Sequence, residues 1–142
     1  MFEAEVETAR HSMAQTVLVV DDDPMMHWVS RRYLEKAGYR MLSASNGREA
    51  LEVVAHELHQ VIVLDLRMSE MDGLTALKRL KQDPRTNTIP VIVVTVSDDL
   101  LTQMKSEFSG ASVYLTKPFS PAQLLAEIRR FAPESAAAPG ST

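Results

Sequence analysis

Asp21-Asp22-Asp23 follows directly on the apolar run Val17-Leu18-Val19-Val20, and Asp65 closes a second run, Val61-Ile62-Val63-Leu64. Thr95 ends a third, Val91 to Val94, and Lys117-Pro118 comes shortly after a weaker one that reaches Leu115. Carboxylates from two strands held a few ångströms apart repel, and all stay ionised only with a cation between them. Three or fewer carboxylates, a backbone carbonyl and water suit a hard ion, Mg²⁺ or Mn²⁺. A metal so placed neutralises an incoming phosphate and lets a carboxylate attack phosphorus, giving an acyl phosphate. An ammonium and a hydroxyl opposite would hold the phosphoryl oxygens by charge-assisted hydrogen bonds, and Lys117 and Thr95 supply those groups. No general base is needed, because an ionised aspartate is already nucleophilic.

Such a set works only if the fold brings it to one place. Thr16–Val20, Val61–Leu64 and Val91–Val94 are short, continuous and β-branched, the pattern of strands covered on both faces. Arg40–Ala44 and Ser112–Leu115 are weaker strand candidates. Helical stretches lie between. Pro24 fits a first helical position and Gly38 a stop, with Met26, Val29, Tyr33 and Ala37 as the expected apolar stripe. Asn46 can cap a helix with Glu49 at its third position and Ala50, Leu51, Val54 and Leu58 as its stripe. Leu74, Leu77 and Leu80 define a helix from Gly73 to Lys81, and Leu101, Met104 and Phe108 one from Asp98 to Phe108. Ser120-Pro121-Ala122-Gln123 opens the last, on Leu124, Leu125, Ile128 and Phe131. Five strands alternating with five helices predict an α/β fold, a doubly wound parallel sheet with helices on both faces. Ligands bind such sheets beyond the carboxyl ends of the strands, where the aspartates, threonine and lysine converge.

Four motifs in register resemble the receiver domain of two-component response regulators: Val17 to Pro24, Leu64 to Gly73, Val94-Thr95, and Tyr114-Leu115-Thr116-Lys117-Pro118-Phe119. The resemblance spans residues 15–132 and implies a flavodoxin-like sheet of order 2-1-3-4-5. It implies that Asp65 is the phosphoacceptor, that Asp22 binds the metal directly and Asp21 largely through water, and that the Arg67 backbone carbonyl is a further ligand. Lys117 would pair with the phosphoryl group, Thr95 would swing toward it, and Tyr114 would turn inward as the second switch residue. A cis peptide is expected at Lys117-Pro118. The implied partner is a histidine kinase or phosphotransfer protein, docking on the first helix, and the implied role is signalling rather than turnover of an external substrate.

Departures from the family pattern are Ser69 in place of proline, Val96 in place of a small residue after the switch threonine, and the long, charged Arg67 near the acceptor. They bear on kinetics and remove no reacting group. Asp23 and Asp72 read as helix caps. His56 and His59 are spaced to share a metal but lack a third ligand, and are expected to face solvent. Met25, Met26, Met68 and Met71 read as gap-filling residues rather than ligands. Trp28 falls with Arg31, Arg32 and Glu35 on the polar side of the first helix, which makes it a candidate partner contact.

With 142 residues, 45% apolar and 24% charged, the chain fits one globular domain. A net charge of −4 gives no attraction to nucleic acid or anionic membrane, and the absence of cysteine excludes disulfides and thiolate chemistry. No apolar run approaches the roughly 20 residues that span a bilayer, so a cytoplasmic location is expected. Residues 1–14 read as a flexible extension and 133–142 as a disordered tail or truncated linker. Three rivals compete. A haloacid-dehalogenase-like phosphatase would use the Asp-x-Asp of residues 21–23 but lacks an acidic motif after Lys117. A flavodoxin-like flavin binder would meet repulsion from the acidic strand ends. An atypical receiver would act as a fixed interaction module without phosphorylation.

Overall fold

The structure, a computed structural model, describes residues 15–57, 59–66, 73–95 and 110–133. Five parallel strands, β1 (Thr16–Val20), β2 (Arg40–Ala44), β3 (Val61–Asp65), β4 (Val91–Thr95) and β5 (Val113–Thr116), form one sheet of order β2-β1-β3-β4-β5. The four described helices are α1 (Pro24–Lys36), α2 (Gly47–His56), α3 (Gly73–Gln82) and α4 (Pro121–Phe131). The helix expected over 98–108 lies outside the described residues, as do residues 1–14 and 134–142, Leu58, Arg67, Ser69, Asp72, Val96, Met68 and Met71.

Strand alternation builds two cores. Leu18, Val20, Ile62, Leu64, Val91 and Val93 face α2 and α3, meeting Ala50, Val54, Ala76, Leu77 and Leu80. Val17, Val19, Val61, Val63, Ile92 and Val94 face α1 and α4, meeting Leu34, Leu124 and Ile128. Each fully buried aliphatic side chain contributes about 1.5–3 kcal/mol, so register is strongly specified in the three central strands, buried on both faces.

Local chemistry sets the helix ends. Asp23 caps α1 by accepting the Met25 N–H at 2.9 Å, and Asn46 caps α2 by accepting that of Glu49 at 2.8 Å. Ser120 and Gln123 form a reciprocal capping box on α4. α1 ends in a Schellman turn: Gly38, at φ 94°, donates to Glu35, and Tyr39 donates to Leu34.

Two expectations are corrected. The buried stripe of α1 is centred on Ser30 and Leu34 with Met26 and Ala37 beside them, and Tyr33 is exposed. One residue is about 100° of helix, and the Ser30 hydroxyl offsets part of its burial cost by donating to the weakly accepting Met26 Sδ at 3.7 Å. His59 is not solvent-facing. α2 stops at His56, and His59, in the turn before β3, is 4% exposed.

Candidate phosphoacceptor site

The parity of the strands decides which side chains meet. Asp21 continues the alternation of Val17 and Val19, Asp65 that of Val61 and Val63, and Lys117 that of Val113 and Leu115, all on the side that packs α1 and α4. Lys117 Nζ donates to Asp21 Oδ2 at 2.9 Å and to Asp65 Oδ2 at 3.3 Å. Asp21 and Asp65 are buried and Asp22 is exposed, and one carboxylate oxygen from each lies within 4.8 Å of the others. Partial burial pulls the Lys117 pKa down, but the hydrogen bonds and charges of Asp21 and Asp65 outweigh it and hold the group above the ordinary lysine value. The lysine is therefore cationic at neutral pH.

Three carboxylates against one ammonium leave a surplus of negative charge equal to that of one divalent cation. All the donors are hard oxygens, which suits Mg²⁺ or Mn²⁺ rather than a soft metal. The residues present fit the ion.

Asp21 is fixed at every polar group. Its N–H donates to the Ala44 carbonyl at 3.0 Å, and its Oδ1 accepts the Asp23 N–H at 2.9 Å. Its carbonyl accepts from His27 Nε2 at 2.6 Å, a contact that nothing in the sequence signalled. Gly73, at the start of α3, lies so close to the end of β3 that a Cβ there would stand 2.2 Å from the Asp65 carbonyl oxygen and 2.5 Å from Leu66 Cα. Only glycine fits, and its N–H donates to the Leu66 carbonyl at 3.1 Å.

Thr95 is fully buried at the end of β4, opposite Thr116, and its carbonyl accepts the Lys117 N–H at 2.9 Å. Tyr114 is half-buried, and desolvation raises its hydroxyl pKa. By register it neighbours Val93 and packs with the α2–α3 core, on the side where Thr95 also falls by parity. The Lys117-Pro118 peptide is cis. On α1, Trp28 is 58% exposed with the Arg32 guanidinium 4.9 Å from its ring centroid. A largely apolar groove of about 460 Å³ runs from Lys117 between α1 and α4, lined by Met25, Met26, Val29, Tyr33 and Phe119 among others. No helix among the described residues is long and apolar enough to cross a membrane.

The model of the response regulator receiver domain family matches residues 17–129. The DNA-binding transcriptional regulator NtrC of Escherichia coli K12 is 40% identical over 114 residues, which cover 80% of this chain and 24% of that protein. This chain spans between about a quarter and half the length of the curated relatives it matches. Among solved structures, the Vibrio cholerae chemotaxis protein CheY4 superposes with a TM-score of 0.75 at 30% identity, covering 83% of this chain and 98% of that one. The receiver domain of the Pseudomonas aeruginosa sensor histidine kinase PA1611, which has a magnesium ion coordinated in its active-site cleft, does so at 0.73 and 26%, covering 83% and 97%. Sheet order, acidic cluster and family match agree: the chain belongs to the response regulator receiver domains of two-component signalling.

Proposed function

We propose that Asp65 accepts a phosphoryl group from a histidine kinase, a phosphotransfer protein or a small phosphodonor, and that the change of charge switches a partner-binding surface. The observation that carries this reading is the meeting of Asp21, Asp22, Asp65 and Lys117 at one edge of the sheet. An Asp65 carboxylate oxygen attacks phosphorus while the donor's bond to it breaks, leaving an acyl phosphate on the protein and the donor with the electron pair. Asp21, Asp22 and Asp65, with the Arg67 carbonyl, would hold Mg²⁺, which when bound offsets the negative charge gathered as phosphate meets carboxylate. Lys117 trades its contact with Asp65 for the phosphoryl oxygens, a charge-assisted bond made from a position it already occupies. Thr95 then moves its hydroxyl toward the phosphoryl group and Tyr114 follows, a population shift driven by contacts that exist only in the phosphorylated state.

Docking on α1 fits the same scheme. Trp28 offers a donor an exposed aromatic on α1, and a separate apolar groove runs from Lys117 along the same helix. The acidic net charge argues against nucleic acid as a direct ligand of this domain. The reaction would proceed in the cytoplasm, and a downstream effector would read the switched surface. Beryllofluoride, a phosphoryl mimic, tests the site without a kinase. It should bind in the presence of Mg²⁺, and binding should disappear in Asp65→Asn and with EDTA. Binding that persists in Asp65→Asn would remove Asp65 as the acceptor.

A further inference from the structure

We infer that His27 is a positioning residue for the acidic turn, fixing Asp21, and with it Asp22, from the α1 side. The inference rests on the receiver reading above. His27 is the fourth residue of α1, and helical side chains lean toward the N-terminus of their helix, so its ring folds back over the start of α1. Nε2 meets the Asp21 carbonyl at 2.6 Å. A carbonyl oxygen only accepts, so Nε2 carries the proton. Nδ1 is buried and has no partner among the described residues, so the contact to the Asp21 carbonyl is the ring's anchor. Three of the four polar groups of Asp21 are held by the sheet, the turn itself and Lys117; His27 holds the fourth, the carbonyl that leads into Asp22.

The consequence falls on Asp22. It is exposed, and its carboxylate must be aimed by the backbone on either side of it. Asp23 fixes the far side through its cap on Met25, and His27 fixes the near side through the Asp21 carbonyl. Loss of the imidazole N–H leaves that carbonyl in a partly dry place without its donor and lets the turn relax. Groups that orient metal ligands from behind contribute in the same way at metal sites generally.

The test compares the full chain with His27→Gln, whose amide nitrogen reaches about as far as Nε2, and His27→Leu, which has no donor. Mg²⁺ affinity is read by titration calorimetry, with thermal unfolding as a check that each variant is folded. The wild-type ring is read in parallel by long-range ¹H–¹⁵N correlation, which reports which nitrogen holds the proton. The expected result is a proton on Nε2, near-native affinity for the glutamine variant, and a loss of about three- to tenfold for the leucine variant. A ring with no proton on Nε2 overturns the inference even if the leucine variant fails to fold. So does a folded leucine variant that keeps native affinity, or a folded glutamine variant that loses as much affinity as the leucine one. A wild-type chain that takes up no Mg²⁺ overturns the receiver chemistry as well, which separates the two failures.

Discussion

The two ends of the sheet solve the burial of charge differently. At the carboxyl end, two buried aspartates share a single lysine beside the exposed Asp22, and the local charge stays unbalanced. At the amino end, Arg40 pairs with Glu57, and the Thr16 N–H is taken by the Gln60 side chain. His59 is buried there with its pKa held below the ordinary value by desolvation, against the opposing pull of Glu57. The amino end balances its charges in pairs, and what it leaves unsatisfied is neutral: both ring nitrogens of buried His59 lack a hydrogen-bond partner among the described residues. The other is left short of positive charge, and in the reading proposed above that shortage is what a cation and then a phosphoryl group would meet. On that reading the site would trade local stability for activity, a trade common at functional sites.

The largest expected effect comes from the joint that holds the acceptor. Gly73→Ala sets a Cβ against the Asp65 carbonyl, where neither backbone can yield cheaply. It should cost about 3 kcal/mol in denaturant unfolding and disturb Asp65 directly. An alanine variant of native stability would mean that the α3–β3 approach is looser than the geometry requires.

Next comes the cost of the unbalanced end itself. Without Mg²⁺, Asp65→Asn removes one of the crowded carboxylates and should stabilise the fold by about 1 kcal/mol, raising Tm by about 3–5 °C. Added Mg²⁺ should then raise the wild-type Tm more than that of the variant, since stabilisation by a ligand grows with the logarithm of its affinity. If the variant is instead less stable in Mg²⁺-free buffer, the Lys117–Asp65 contact is worth more than the repulsion it offsets.

The amino end gives a smaller effect, set by pH. His59 has its folded pKa below the ordinary value of 6.5, so the unfolded chain takes up a proton first. Stability is unaffected well above pH 6.5, falls as pH drops through that value, and levels off below the folded pKa. His59→Gln should flatten that acid slope and leave neutral-pH stability nearly unchanged. Coincident pH profiles for the two proteins would show that His59 is protonated in the fold as easily as outside it.

The carboxyl end was far more legible in the sequence than the amino end. Strands buried on both faces leave continuous β-branched runs, and whatever ends those runs must sit at the sheet edge, so Asp21, Asp65 and Thr95 stood out. Gly38, Asn46 and Ser120 announced helix boundaries through chemistry confined to a few residues. His59 carried no such signal, because periodicity stops with α2 at His56 and a turn residue is buried by tertiary packing alone. The α1 stripe was misread by one position because Ser30 looks polar until its neighbour Met26 takes its hydroxyl. The contact of His27 with the Asp21 carbonyl joins a side chain to a backbone atom, which no residue pattern encodes.

Intact-mass spectrometry after incubation with acetyl phosphate and Mg²⁺ tests the central claim most directly, with Asp65→Asn and an EDTA-treated sample alongside. The account predicts one added phosphoryl mass on the wild type, none on Asp65→Asn and none with EDTA. A phosphoryl mass that survives in Asp65→Asn would contradict it, and a wild type that gains none and also fails to bind beryllofluoride would leave the domain a fixed docking module.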